Sequence, residues 1–172
     1  MAKYIICDID GCLVDSSWIW GVVNELKKSN PIVNPYEVFD KNANLSSNGV
    51  DVVLVDFIER FIKKNNNDCE LLFLTARSLA IKEETINFIK EYVNLKDFQT
   101  SFRDLNDTSN SAESKKKRLD EILKAGNEVV LALDDDVNNV KMFKDYGIKT
   151  VQWRYGFIPQ EIIDTVAFRE DF

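Results

Sequence analysis

The feature that most limits how this chain can fold is the alternation of short β-rich runs with amphipathic helical stretches. Lys3–Cys7, Glu70–Leu74, Phe98–Phe102, Glu128–Leu133 and Lys149–Trp153 read as strands. Helical periods separate them. A helix predicted over residues 50–64 places Val53, Leu54, Phe57, Ile58, Phe61 and Ile62 on one face, and one over 78–93 does the same with Ile81, Ile86, Phe88, Ile89 and Val93. Shorter helices are predicted over 115–124 (Leu119, Ile122, Leu123) and 137–146 (Val140, Met142, Phe143). Strands spaced by helices form βαβ units, so the expected fold class is α/β: a three-layer αβα sandwich around a parallel sheet.

Residues 15–49 separate the first strand from its helix. They carry a predicted helix over 18–28 and two breaks, Asn30-Pro31 and Asn34-Pro35, and read as a small cap- or flap-like insertion over the sheet edge. The polar stretch 106–113 reads as a surface loop. With 172 residues, residues 1–172 are expected to form one domain with one core.

The totals exclude several functions. No apolar run approaches the roughly 18 residues of a membrane span, and no signal-peptide pattern opens the chain, so a cytoplasmic protein without membrane contact is expected. Cys7, Cys12 and Cys69 form no Cys-x-x-Cys pair, which points to small buried hydrophobes and away from a disulfide framework or zinc knuckle. A net charge of −7 opposes non-specific binding along a long nucleic acid. Histidine is absent, which removes Ser-His-Asp and Cys-His catalysis. Chemistry is left to carboxylates, lysine, arginine, hydroxyls, thiols and bound ions.

Ligands of parallel sheets with helices on both faces bind beyond the carboxyl ends of the strands. Asp8 and Asp10 follow the first predicted strand, Thr75, Ala76 and Arg77 the second, and Asp134, Asp135 and Asp136 the fourth. Two carboxylates about 4 Å apart repel by about 4 kcal/mol at an effective dielectric near 20. A hard divalent cation relieves that repulsion, and Mg²⁺ accepts one or two carboxylates while leaving room for water and phosphate. Each cluster also has a plain reading, an acidic turn at Asp8-Ile9-Asp10-Gly11 and a helix N-cap at Asp134–Asp136. An EF-hand is excluded at both places, because Leu13 and Asn139 stand where that loop needs glycine.

Taken in order, "IICDIDGCLVD", "LLFLTAR", a lysine opening the helix near Lys115 and "VVLALDDD" resemble the four motifs of the haloacid dehalogenase (HAD) superfamily of phosphohydrolases. Pro35-Tyr36-Glu37-Val38-Phe39 and the Asp134-Asp135 motif with Val140, Met142, Phe143 and Gly147 look most similar to the 3'-phosphatase domain of polynucleotide kinase/phosphatase and its small stand-alone relatives. No Gly-x-x-x-x-Gly-Lys-Ser/Thr loop occurs, so kinase activity is not expected.

The resemblance implies a Mg²⁺-dependent phosphomonoesterase. Asp8 would be the nucleophile that forms an aspartyl-phosphate, and Asp10 the acid and then the base. Asp8, the Asp10 carbonyl and Asp134 would hold the metal, with Asp135 beside them. Thr75 would donate to the phosphoryl group, and Lys115, or Lys116 as the alternative, would neutralise its charge. Ala76, Arg77 and Arg103 would meet the substrate, although Arg77 has the alternative of pairing with an acid at the rim. The implied substrate is a nucleotide or a short nucleic-acid 3'-phosphate end.

The chain departs from the resemblance in two places. Cys12 replaces the usual threonine or valine, and Ser16, Ser17, Trp18 and Ile19 stand where arginines grip a 3' end, leaving Arg103 as the substitute. Trp18 and Trp20 are candidates for stacking on a base. Three alternatives remain at the level of sequence: the same chemistry on a small metabolite such as a sugar phosphate, a phospho-accepting receiver domain, and an inactive relative used as a binding module.

Overall fold

The computed structural model describes residues 1–44, 49–93 and 97–166. Part of the insertion (45–48) and the end of the expected domain (167–172) lie outside the described residues. Five parallel strands, β1 (Lys3–Cys7), β2 (Glu70–Ser78), β3 (Phe98–Arg103), β4 (Glu128–Asp134) and β5 (Thr150–Gln152), form one sheet in the order β3-β2-β1-β4-β5. The strand carrying Asp8 at its exit is therefore central.

Side chains alternate across the sheet, as the two-residue period of a strand requires. Ile5, Cys7, Leu71, Phe73, Leu131 and Leu133 point to one face, where they pack with Leu54, Phe57 and Ile58 of α3 (Val52–Lys64) and Phe88 and Ile89 of α4 (Lys82–Tyr92). Tyr4, Ile6, Leu72, Leu74 and Ala132 point to the other, against Leu119 of α5 (Ser111–Lys124) and Met142 and Phe143 of α6 (Val137–Asp145). Both faces are covered, which is why these strands read as nearly continuous apolar runs. No described helix is long and apolar enough to cross a membrane.

The insertion folds as α1 (Ser17–Ser29) and α2 (Pro35–Asn42), with Ile19, Phe39 and Ala43 as a small core of its own against Ile81. Asn34-Pro35 is thus a helix start and not a plain break. The Asn34 side chain accepts from the Tyr36 amide at 3.0 Å, and proline suits the first helical position because it has no N–H to leave unpaired.

Three other boundaries differ from the sequence expectation. β2 runs four residues further, to Ser78, whose hydroxyl caps a 3-10 turn over Leu79–Ile81 before α4 begins at Lys82. α5 begins at Ser111, inside the expected loop, because Asn110 caps it by accepting from the Glu113 amide at 2.9 Å. A last helix, α7 (Gln160–Val166), was not anticipated; its Ile162 joins the core.

Candidate active site

Asp8, Asp10, Thr75, Arg77, Asp134 and Asp135 stand at or just beyond the carboxyl ends of strands, whereas Lys115 comes from α5 and Asn139 from α6. Beyond β1 the chain turns tightly: the Leu13 and Val14 amides both donate to the Ile9 carbonyl, at 2.9 and 2.8 Å, and Gly11 takes φ +80. Glycine is needed at that position twice over, because a Cβ would also lie 2.3 Å from the Asp135 Oδ2. The β2–β3 register shifts between Leu74 and Ser78, so Thr75 and Arg77 fall where the regular ladder is interrupted.

Lys115 is the buried centre of the site. Its ammonium, fully hidden from solvent, lies 2.9 Å from Asp8 Oδ1 and 2.7 Å from Asp134 Oδ2, whereas Lys116 is exposed. Burial works against its charge, but Asp134 and Asp8 outweigh burial and raise its pKa. Asp8 also accepts from the Ile9 amide at 2.8 Å. Burial, against the opposing pull of Lys115, pushes the Asp8 carboxyl well above the ordinary range, and Asp134, Asp10 and Asp135 add to the rise. Burial first and Asp134 second push Asp135 up to about 6.

Asp8, Asp134 and Asp135 bring carboxylate oxygens within 4.8 Å of one another. One lysine cannot balance three acids, so two negative charges remain at full ionisation. That deficit is the charge of a divalent cation. Asn139 supplies a second sign of a missing group: its Nδ2 donates to Asp134 Oδ1 at 3.0 Å and Ser111 Oγ at 3.2 Å, but its buried Oδ1 has no partner among the described residues. An idle acceptor on a side chain that lines the same hollow as Asp8 and Asp135 suits a hydrated cation, whose waters donate. The donor set is all oxygen, the preference of Mg²⁺. Asp136 instead caps α6, accepting from the Asn138 and Asn139 amides.

Asp10 is engaged elsewhere. Its carboxylate is held by a bidentate fork from Arg77, Nε to Oδ2 at 2.8 Å and Nη2 to Oδ1 at 2.7 Å, and it accepts from Ser16 Oγ at 3.0 Å. The other Arg77 donors go to Asn44 Oδ1 at 2.5 Å, Thr85 Oγ1 at 3.2 Å and the Ala43 carbonyl at 3.1 Å. All five guanidinium N–H groups are thereby used inside the protein, and the side chain is wholly buried. Of the two roles the sequence allowed Arg77, the geometry matches pairing with an acid and leaves no donor for a substrate.

Thr75 is buried, and its hydroxyl oxygen accepts from the Arg77 amide at 3.1 Å, which leaves the O–H to donate. A hollow of about 220 Å³ opens above these groups, lined among others by Asp8, Asp10, Ala76, Arg103, Asp135 and Asn139. Its upper wall comes from the insertion: Trp20, Tyr36 and Phe39, with the Trp20 and Phe39 rings 5.3 Å apart. Trp18 is not part of that lining. Sequence reasoning missed Asn139, Ser111 and Phe39 at the site. Asn139 carried a usable signal, since it lies one helical turn beyond Asp136 on the helix that follows the acids.

A central parallel strand that ends in Asp-x-Asp, facing a late acidic pair and a buried lysine, defines a HAD-type phosphatase fold. The chain belongs to the NLI interacting factor-like phosphatase family, whose model matches residues 3–167. It is a phosphatase by family. No curated protein matches the sequence at a significant level. Among solved structures, a chain of the Pnkp1/Rnl/Hen1 RNA repair complex superimposes with a TM-score of 0.66 at 21% identity, over 92% of this chain and 44% of that one. This chain thus spans less than half the length of the repair-complex chains it matches. The class C acid phosphatase of Bacillus anthracis with tungstate bound gives 0.58 at 12% identity, over 91% of this chain and 68% of that one. A HAD family enzyme of Bacteroides thetaiotaomicron, in complex with magnesium and inorganic phosphate, gives 0.51 at 13% identity over 98% of this chain and 100% of that one. At such low identities these superpositions show a shared fold and nothing further.

Proposed function

We propose that the chain is a Mg²⁺-dependent phosphomonoesterase that works through an aspartyl-phosphate on Asp8, with nucleotides or nucleic-acid 3'-phosphate ends as substrates. The observation that carries this reading is the placement of Asp8: a buried carboxylate on the central strand exit, against Lys115, at the floor of a hollow. An Asp8 oxygen attacks phosphorus, the bond to the substrate oxygen breaks, and Asp10 gives its proton to the departing oxygen. Asp10 then takes a proton from water, the water oxygen attacks the phosphorus of aspartyl-phosphate, and inorganic phosphate leaves with Asp8 restored. Thr75 donates to the phosphoryl oxygens and Lys115 offsets their charge. Asp8, Asp134, Asp135 and the Asp10 carbonyl would hold Mg²⁺, which supplies charge neutralisation at the phosphoryl group.

To act as an acid, Asp10 must hold a proton on an oxygen that is free to give it, and both of its oxygens are engaged by the Arg77 fork. Proton donation therefore requires Asp10 to leave that fork or weaken it. The fold likeness to a repair-complex chain and the aromatic upper wall support a nucleotide or nucleic-acid end as substrate. Three free buried cysteines suit a reducing compartment, in keeping with a cytoplasmic setting.

The test is phosphate release, with Mg²⁺ and in EDTA, from p-nitrophenyl phosphate, nucleoside 3'- and 5'-monophosphates, 3'-phosphorylated oligonucleotides and sugar phosphates. Many turnovers per chain on nucleotides or 3' ends, abolished by Asp8→Asn, are expected. A single phosphoryl transfer without turnover would point to a receiver, and turnover confined to sugar phosphates to a metabolite phosphatase.

A further inference from the structure

Tyr36, Asp40 and Asn44 follow one another at four-residue intervals along α2 and the turn beyond it, because Ala43 keeps helical backbone angles past the end of the helix. Residues four apart share a helix face. Both ends of that face meet an arginine. The Arg103 guanidinium carbon lies 4.5 Å from the centroid of the Tyr36 ring, and Asn44 Oδ1 accepts from Arg77 Nη1 at 2.5 Å. Asp40 stands between them, half-buried, and forms no ion pair among the described residues. Burial raises its pKa; the Ser78 backbone, Arg103 and Arg77 oppose the rise, and Asp10 adds to it. The Asp40 carboxyl is therefore within electrostatic reach of both guanidiniums and of Asp10 while bridging to none of them.

Arg77 needs an anion. Its side chain is wholly buried and Asp10 is its one ionised partner among the described residues, so an Asp10 that simply left would strand a buried cation at a cost of several kcal/mol. Yet proton donation requires an Asp10 oxygen outside the fork. Both demands are met if a second carboxylate takes the guanidinium as the first lets go. Asp40 suits that part, because it lies on the helix whose end Arg77 already grips through the Ala43 carbonyl and Asn44. The same helix is placed to respond to substrate: Tyr36 and Phe39 wall the hollow, and the insertion packs around a small core of its own.

We propose that Asp40 is a positioning residue for the acid: as substrate fills the hollow and α2 shifts with it, the Arg77 guanidinium passes from Asp10 to Asp40, and Asp10 turns a freed oxygen toward the departing group. Arg77 keeps one carboxylate partner throughout, so the exchange leaves no buried charge unpaired. Asp40 itself does not touch substrate. The inference rests on the reading of Asp8 as nucleophile and Asp10 as acid.

Leaving groups separate this role from a merely structural one. An alkoxide must be protonated as it departs, whereas p-nitrophenolate leaves unaided. Release of the leaving group is timed in single turnovers, with enzyme in excess and Mg²⁺ present, for p-nitrophenyl phosphate and for whichever nucleoside or sugar phosphate the wild-type chain hydrolyses fastest. Asp40→Asn is expected to slow alcohol release about tenfold or more at an unchanged half-saturating enzyme concentration, and to leave p-nitrophenolate release within about twofold of wild type. Asp40→Glu, which keeps the charge but sets it further out, should show the same split in smaller measure, and it carries the test should Asp40→Asn not fold. Equal slowing of both substrates, no slowing, or a loss confined to binding overturns the proposal. If it fails while the wild-type chain turns over both substrates and Asp8→Asn does not, the phosphatase reading stands alone; if the wild-type chain releases no phosphate, that reading fails and the proposal with it.

Discussion

Arg77 and Gly11 are the residues whose replacement separates structure from chemistry most clearly. Removing one partner of a buried bidentate pair strands the other, at a cost of about 3–5 kcal/mol. Arg77→Leu is therefore expected to lower the urea-unfolding free energy by that amount, and Arg77→Lys to recover only part, since an ammonium has neither the planar fork nor the five donors of the guanidinium. Arg77→Lys also changes what holds the proposed proton donor Asp10, so kcat per folded molecule should fall, which a purely structural defect would not cause. Gly11→Ala places a methyl group against Asp135 at a φ that disfavours alanine. The Mg²⁺ concentration for half-maximal phosphate release should rise tenfold or more, and an unchanged Mg²⁺ requirement would mean that Asp135 plays no part in holding the ion.

Elements explain which parts of this molecule could be read in advance. The strands were legible because burial on both faces makes them apolar, and the acids at their exits were visible as abrupt changes of polarity. Boundaries set by single caps were not. Asn34-Pro35 reads as a break until the Asn34 side chain is seen to accept from the Tyr36 amide. β2 outruns its apolar stretch because the bulge before Ser78 lets polar residues continue the ladder. The choice between the two roles open to Arg77 was also hidden, since a sequence places a guanidinium at a strand exit but cannot say where its donors go. Caps also offer a clean perturbation at this scale. Asn110→Ala removes the acceptor that starts α5, the helix carrying Lys115, and should cost about 1 kcal/mol in denaturant unfolding. A loss near zero would show that α5 is held by packing alone.

At the scale of the whole molecule, the acid cluster links stability to pH and to the ion. Asp135, pushed up to about 6, and Asp8, raised in the same direction, bind protons more tightly folded than unfolded. In that case the metal-free protein loses stability as pH rises from about 4 through about 6. If Mg²⁺ binds among these carboxylates it replaces those protons, so the rise in melting temperature on adding Mg²⁺ to protein in EDTA should be larger at pH 7 than at pH 5. Equal shifts at the two pH values would argue against a cation among these carboxylates.

The Arg77 fork also joins distant parts of the chain: it grips Asp10 beside the first strand, Thr85 on α4, and Ala43 and Asn44 where α2 ends. The helical insertion that walls the hollow is consequently wired to Asp10, the proposed proton donor. Grafting the insertion of another phosphatase onto this scaffold would exchange more than a specificity module, because the graft would inherit custody of the acid, and substrate range could not drift without retuning the chemistry beneath it.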